Sequence, residues 1–317
     1  MSTVATPEIN LAQERAARSS IRGRLQDALP KIVLAPSFAI TLVFVYGFIL
    51  WTAYLSFTNS KTFPSYVLTG PRAYQRLWNW TFESDPPSSW YTSVTNMGIF
   101  GVLYVGICLG LGLFLAILLD QKIRGEGFLR PVYLYPMALS FIVTGVAWRW
   151  FLDPGLGLEQ TLHHWGWTSF HFDWIKNKDF VIYTVVIAGV WQASGFIMAM
   201  FLAGLRGIDG EIMKAAQIDG ATTWQLYRRI VIPMLRPIFL SAFIVLAHMA
   251  IKSYDLVVAL TSGGPGGSAW LPSNFMYEYT FKRNEMAVGS ASAIIMLMAI
   301  SAIIVPYLYS ELREKSR

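Results

Sequence analysis

Six long apolar runs dominate the chain and restrict it to membrane folds. Each is about 20 residues long, the length a helix needs to cross the roughly 30 Å hydrocarbon core of a bilayer. Only 14% of the 317 residues are charged, against about 25% in soluble domains. The sequence therefore predicts an all-α integral membrane protein with six transmembrane helices. The predicted spans are residues 32–57, 94–119, 132–151, 180–203, 238–260 and 287–309.

The third run is the weakest of the six, because Pro136 and Arg149 interrupt it. Membrane helices tolerate such breaks where neighbouring groups satisfy the backbone, so we still expect a single span. We expect Arg149, near the end of the run, to pair with Asp153 or to extend its charged end toward the membrane surface.

Lysine and arginine residues concentrate on one side of the predicted membrane. The 1–31 tail, the 120–130 and 204–237 loops and the C-terminus hold more of them than the three loops between. Because cytoplasmic segments collect Lys and Arg, we predict that both termini are cytoplasmic. The same bias accounts for the net charge of +6 without a nucleic-acid partner.

Residues 206–237, the 206–237 loop hereafter, form a long polar interruption with a helical design of its own. Asp209 is suited to cap a short helix, and Glu211 lies in its first turn, where the helix dipole favours an acid. Gly220 permits the positive φ that ends such a helix. A small apolar face is predicted from Ile212, Ala215, Ala216 and Ile218.

A second amphipathic segment follows in the same loop, with apolar residues at helical spacing. These residues are Trp224, Tyr227, Ile230 and Val231. We expect Pro233 and Pro237 to break this helix just before the next apolar run. Two short helices joined by a glycine turn on a membrane surface favour a docking site for a partner. The alternative is an ordinary cytoplasmic loop.

The order of residues in this loop resembles the EAA loop of permease subunits from bacterial ATP-binding-cassette (ABC) importers. In that family the short helix fits a cleft of a separate ATPase. The sequence departs from the family where Lys214 stands in place of the usual glutamate. The resemblance implies that the ATPase-coupling residues are Glu211, Lys214, Ala215, Ala216, Asp219, Gly220, Ala221, Tyr227 and Pro233.

Polar residues inside the apolar runs are costly and are candidates for a solute path. They are Trp191, Gln192, His248, Lys252, Ser253, Tyr254 and Asp255. His248, Lys252 and Asp255 are spaced to share one face of a helix. One interpretation is a neutralised stripe in which Lys252 pairs with Asp255. The other is a lining for a neutral sugar, which needs mixed donors and acceptors beside an aromatic surface.

The run LTSGGP at 260–265 resembles a signature that follows the fifth span of carbohydrate permeases in this family. Runs 119–140, 151–158, 191–221 and 305–313 are similar to bacterial glucose and mannose importer permeases. The resemblance implies a type I ABC importer permease fold, with 32–317 as the permease domain after the tail. It also implies a glucose or mannose substrate. Related α-glucoside permeases share parts of these runs, so that alternative stays open.

The chain carries no GxxxxGK[ST] loop for ATP phosphates and no pattern of catalytic residues. We therefore expect no enzyme activity and no cofactor in this chain, with ATP and Mg²⁺ bound by the partner ATPase. His163, His164 and His171 lack clear ligand spacing or a carboxylate partner, so no metal site is expected. Aromatic residues around them are typical of a membrane interface, or alternatively of contact with a sugar or a binding protein.

The family resemblance also implies partners and a location. The partners are a second permease subunit in a heterodimer, a dimer of ABC ATPases, a periplasmic sugar-binding protein and the lipid bilayer. The location is the bacterial inner membrane. Two rival functions are an ion-coupled secondary transporter that uses His248, Lys252 and Asp255 as a relay, and a membrane enzyme that acts on lipid.

Overall fold

A computed structural model describes residues 29–78, 89–121 and 126–315, with the side chains of 126, 308 and 310–315 left out. In these residues helices are the only repeating structure, beside a single bridge between Thr58 and Leu68. The all-α prediction is confirmed. The predicted 1–31 tail lies outside the described residues except for its last three positions. The described residues divide into two compact units, with the boundary between Tyr54 and Leu55.

Thirteen helices are numbered here in chain order through the described residues. They are α1 Leu29–Ser56, α2 Arg72–Trp78, α3 Ser89–Asp120, α4 Glu126–Ala138, α5 Phe141–Phe151, α6 Leu158–His164, α7 Val181–Arg206, α8 Gly210–Ile218, α9 Thr223–Met234, α10 Arg236–Ile251, α11 Tyr254–Thr261, α12 Pro272–Tyr277 and α13 Met286–Lys315.

Four of these helices, α1, α3, α7 and α13, are long and apolar enough to cross a membrane. Two bent pairs raise the number to six if each pair is one span. These pairs are α4 with α5, bent by 102°, and α9 with α10, bent by 64°. The six predicted runs all fall on helices, but the third is divided between α4 and α5, and the fifth, residues 238–260, is divided between α10 and α11 and does not include α9.

The third predicted span is broken between Ala138 and Phe141, close to the interruption that the sequence indicates at Pro136. Pro136 has no N–H to continue the hydrogen-bond ladder. Ser140 then starts α5, because its Oγ accepts a hydrogen bond from the N–H of Val143 at 3.3 Å. A side chain that caps a helix favours a new start over continuation of the old one.

Arg149 does not pair with Asp153, and that predicted pair is wrong. Its guanidinium donates to Ser262 Oγ at 3.1 Å. The carboxylate of Asp153 instead accepts the N–H of Gly155 at 2.7 Å. Arg149 thus connects the end of α5 to the residue that follows α11, two helices that also pack together.

Helix α7 is the centre of the second unit. In its most apolar window 72% of the residues are buried, against 33% in α3 and 28% in α13. Helices α3 and α4 pack along it. Ile197 and Phe201 of α7 are fully buried, as are Phe100 and Cys108 of α3. Apolar side chains are as well solvated by lipid as by protein, so the hydrophobic effect does not drive these helices together. Their association depends on close packing.

Gly195 allows a close approach between the backbones of α7 and α4. A Cβ atom at this position would collide with the carbonyl oxygen of Tyr133. Small residues at helix contacts in membranes bring backbones together in this way. The glycine is therefore a requirement of the packing of α4 on α7.

Replacement of Gly195 by alanine is expected to destabilise the protein. The added methyl group overpacks the α4–α7 contact, at a cost of about 1–3 kcal/mol in the free energy of unfolding. Gly106→Ala is the matched control, because a Cβ there meets nothing within 4 Å. Thermal unfolding of both variants in one detergent measures the difference. Equal stability of the two variants would contradict the described contact.

Candidate functional site: the 206–237 loop and an apolar cavity

The first helix of the 206–237 loop forms as the sequence predicts. Asp209 precedes α8 with extended backbone angles, and its carboxylate accepts the N–H of Glu211 at 2.9 Å. Glu211 lies in the first turn, where the partial positive charge of the helix end stabilises it. The cap fixes where the helix begins.

The turn after α8 is a Schellman motif centred on Gly220. This residue has φ of +79°, a conformation that costs other residues about 1–2 kcal/mol. The N–H of Ala221 donates to the carbonyl of Ala216 at 3.0 Å, and the N–H of Gly220 to that of Gln217 at 3.1 Å. Together these bonds satisfy the last carbonyls of the helix and set the direction of the chain. The predicted glycine turn is confirmed.

A capping box starts α9, and sequence analysis missed it. The hydroxyl of Thr222 accepts the N–H of Gln225 at 3.4 Å, and the amide oxygen of Gln225 accepts the N–H of Thr222 at 2.9 Å. The threonine and the glutamine three residues later are the sequence signal that could have found it. The loop therefore holds two capped helices joined by an ordered turn.

The prolines act differently from the prediction that both break the second helix. Residues Tyr227–Val231 form one turn of π-helix, and Pro233 follows inside α9. The break comes at Leu235, and Pro237 lies in the first turn of α10. A proline is tolerated there because the first N–H groups of a helix have no partner within it.

Most of the predicted coupling residues are on the surface. Glu211, Lys214, Ala215, Asp219, Gly220 and Pro233 are exposed, and Ala221 and Tyr227 are partly buried. Ala216 is buried in the core of this unit, so the predicted small apolar face is divided between the surface and the core. Ile218 is 86% exposed and Trp224 71% exposed. Trp224 was predicted on the same face as Val231, which is buried.

The fifth predicted span is broken at Lys252 and Ser253, between α10 and α11. His248, Lys252 and Asp255 therefore do not share the face of one helix, and that prediction is wrong. No ion pair joins Lys252 to Asp255 in the part of the chain described. Both side chains are exposed, and Asp255 lies in the first turn of α11, where the helix dipole favours a negative charge.

The remaining polar residues at this break are held by local contacts. Ser253 is buried, and its hydroxyl donates to the carbonyl of Met249 at 2.9 Å. The Tyr254 ring lies 5.1 Å from the ring of Tyr277, centroid to centroid. These contacts account for the fold at the break, so they carry no separate evidence of a solute site.

A cavity of about 500 Å³ opens between α3, α4, α5 and α7. Its walls are mostly aliphatic, and its polar or aromatic members are Tyr133, Trp148, Trp191 and Ser194. The rings of Trp148 and Trp191 meet edge to face at 5.8 Å between centroids. Of the seven predicted pathway residues, only Trp191 lines this cavity.

Gln192 stands next to Trp191 but faces away into the protein. Its Nε2 donates to the carbonyl of Leu139 at 2.7 Å, where the α4 helix has just ended. The amide therefore satisfies a backbone group exposed by the break between α4 and α5. Its Oε1 is buried without a hydrogen-bond partner among the described residues. Gln192 thus positions the wall of the cavity.

The loop between α5 and α7 brings together histidines that sequence analysis left apart. His171 Nδ1 lies 3.1 Å from Glu159 Oε1, so the expectation that these histidines lack a carboxylate partner is wrong. A hydrogen bond from the Phe172 N–H, and then one from His171, hold the pKa of Glu159 below its usual value. Neither contact is visible in sequence spacing, because 12 residues separate Glu159 from His171.

Comparison with known proteins gives consistent matches. Residues 108–314 match the family described as "binding-protein-dependent transport system inner membrane component". A "probable ABC transporter permease protein" of Pyrococcus horikoshii is 40% identical over 298 residues, covering 93% of this chain and 100% of that protein. A "xylose/arabinose import permease protein" of Haloferax volcanii is 33% identical over 284 residues, covering 87% of this chain and 86% of that protein.

A solved structure shares the fold. It is the "crystal structure of a bacterial ABC transporter involved in the import of the acidic polysaccharide alginate", with a TM-score of 0.77, 18% identity, and coverage of 92% of this chain and 98% of that chain. The predicted importer-permease fold is confirmed by this match and by the family. The chain belongs to the binding-protein-dependent transport system inner membrane components and is a non-catalytic permease subunit of an ABC importer.

Proposed function

We propose that this chain is the sugar-translocating permease of an ATP-driven importer, and that its 206–237 loop docks on a separate ATPase. Relatives named for sugars support the substrate class, among them the xylose/arabinose permease and a "trehalose/maltose transport system permease protein" of Thermococcus litoralis. Within that class we propose glucose or mannose, on the sequence similarity given above. Permeation of α-glucosides is the second candidate.

The proposal depends on the local hydrogen bonding and the exposure of the loop. The Asp209 cap fixes the start of α8, the Schellman motif fixes its end, and the capping box fixes the start of α9. Two large apolar side chains, Ile218 and Trp224, remain exposed on them. An exposed apolar surface rimmed by polar residues marks a site of protein contact. The nine coupling residues keep this role in the proposal, except that Ala216 supports the helix from its buried side.

The loop is placed to turn partner motion into movement of the bundle. It joins α7, the most buried of the four long spans described above, to α10 through the 64° bend at Leu235. Arg206, the last residue of α7, lies 3.9 Å from Asp120 at the end of α3, Nε to Oδ1. Closure of an ATP-bound ATPase dimer would draw α8 inward and tilt these spans, and hydrolysis would return them. This is alternating access.

The rest of the assembly follows from the same proposal. ATP and Mg²⁺ would bind to the ATPase, a second permease would complete the translocation path, and a periplasmic binding protein would deliver the sugar. Both termini and the 206–237 loop would lie in the cytoplasm, as the distribution of basic residues predicts. The membrane would be the inner membrane of a bacterial cell.

The cavity beside α7 is the proposed solute path in this subunit. Its volume of about 500 Å³ falls within the 300–1,000 Å³ that is usual for small-molecule sites. Trp148 and Trp191 offer aromatic faces, which suit the C–H side of a pyranose ring. Tyr133 and Ser194 offer hydroxyls. The polar residues at the α10–α11 break form the second candidate for the path.

The rival of an ion-coupled transporter loses its main support. It needs His248, Lys252 and Asp255 as a relay on one helix face, and the helix break separates them. An ion-coupled transporter also does not account for the two capped helices of the 206–237 loop. The importer explains both observations.

Gly220→Asp is expected to reduce ATP-driven sugar uptake at least tenfold while the chain still inserts in the membrane. The substitution forces a side chain into the left-handed region at φ +79° and adds a charge beside the docking helix. Gly210→Asp is the matched control, since it adds the same charge in the first turn of α8, where the dipole favours it. Normal uptake by Gly220→Asp would contradict the coupling role.

Trp191→Ala is expected to lower uptake about tenfold without loss of the ATPase from the purified complex. The variant removes one aromatic wall of the cavity, and such a ring contributes about 1 kcal/mol or more to a contact. Trp150→Ala is the control, because Trp150 is 73% exposed and does not line the cavity. Equal uptake by the two variants would contradict the proposal that the solute passes through this cavity.

A further inference from the structure

Three potential metal ligands meet in the loop between α5 and α7. Glu159 and His163 are four residues apart on α6, so both lie on one side of this short helix. His171 returns to the same side from the segment that follows. One ligand atom from each of the three lies within 4.8 Å of the other two. This cluster is separate from the cavity and from the 206–237 loop.

The contacts around the cluster favour metal binding by fixing which atoms are free. His163 Nε2 lies 2.7 Å from the carbonyl oxygen of Phe170. Because that oxygen only accepts, Nε2 carries the proton, and Nδ1 of a neutral ring keeps its lone pair. Metal-binding histidines usually donate their second N–H to a backbone carbonyl or a carboxylate in this way.

The carboxylate is also oriented. Glu159 Oε2 accepts the N–H of Phe172 at 3.0 Å, which leaves Oε1 facing His171 Nδ1 at 3.1 Å. Its side chain is only 13% exposed, while that of His171 is 74% exposed. A metal ion would thus meet a held carboxylate and two imidazoles from the solvent side.

We propose that Glu159, His163 and His171 form a zinc site that closes the loop between α5 and α7. Zinc takes nitrogen and oxygen ligands at about 2.0–2.2 Å, and tetrahedral bonds of that length set ligand atoms about 3.3 Å apart. The Glu159–His171 distance is within 0.2 Å of this value, and the ligand atom of His163 lies within 4.8 Å of both partners. Water takes the fourth position.

Zinc fits this ligand set better than magnesium or calcium. Two imidazoles with one carboxylate is a combination that zinc binds in proteins, whereas magnesium and calcium take oxygen ligands. On binding, zinc takes the place of the proton between His171 Nδ1 and Glu159. A charged imidazolium ring releases that proton to solvent, whereas a neutral ring keeps its one proton on Nε2. No electron transfer is involved.

Zinc binding is expected to stabilise the aromatic loop between α5 and α7. The ion would join α6 to residues 170–172, between which Trp165 and Trp167 are 80% and 58% exposed. The two exposed indole rings form a surface of fixed shape only if the backbone that carries them is ordered. The zinc site would fix that backbone at the end of α7 opposite the 206–237 loop.

The test is a zinc titration of the full-length chain, purified with its co-purifying subunits and stripped by a chelator. A chromophoric competitor reports the affinity for added Zn²⁺. His163→Ala, His171→Ala and Glu159→Gln are each expected to bind zinc at least tenfold more weakly than the unmodified chain. His164→Ala is the matched control on the same helix, because His164 lies outside the cluster, and it is expected to bind as the unmodified chain does.

A second measurement separates loss of the site from loss of the fold. X-ray absorption at the zinc edge is expected to show only nitrogen and oxygen neighbours, including two imidazoles. Zinc is also expected to raise the unfolding temperature of the unmodified chain and of His164→Ala, but not that of the His163→Ala/His171→Ala double variant. Zinc affinity and unfolding shifts that are equal in the double variant and the unmodified chain would overturn the proposal. In that case the Glu159–His171 contact is a hydrogen bond only.

Discussion

The close packing of α7 within the helix bundle is the interaction on which the rest of this structure depends. Gly195 lets the α4 backbone approach α7, and Gln192 donates to the carbonyl of Leu139 where α4 ends. Apolar side chains are equally favourable in lipid and in protein. Close contacts of this kind, and not the hydrophobic effect, therefore hold the helices together. The same stretch of α7 turns Trp191 into the cavity. One helix therefore fixes both the bundle and the cavity that is the proposed solute path.

The two loops at the ends of α7 obtain their order in different ways. The 206–237 loop depends on neighbours in sequence, because the Asp209 cap and the Gly220 turn act within a few residues. Such local order lets the loop keep its shape while the spans move, which coupling to a partner requires. The loop between α5 and α7 depends instead on contacts across about a dozen residues, such as that between Glu159 and His171. A metal ion would strengthen an arrangement of this second kind.

This difference explains what could be predicted from the sequence. The apolar runs and the caps at Asp209 and Gly220 were predictable, because length and local hydrogen bonding decide them. The breaks at Ser140 and Ser253 were not, since hydropathy averages over a run and does not record where a side chain satisfies the backbone. The burial of Ala216 and the exposure of Trp224 depend on which neighbouring helix covers each face. The Glu159–His171 contact needs the loop to fold back, which spacing alone does not show.

The most direct test of the central claim is chemical crosslinking from the docking helix. Ile218→Cys places a reactive thiol on an 86% exposed position, and the only other cysteine, Cys108, is buried. Gln160→Cys, on the exposed part of α6, serves as the control. The account predicts a crosslink from position 218 to an ATPase subunit, identified by mass spectrometry, and none to that subunit from position 160. An ATPase that crosslinks only from position 160, or a chain that transports sugar alone without ATP, would contradict the account.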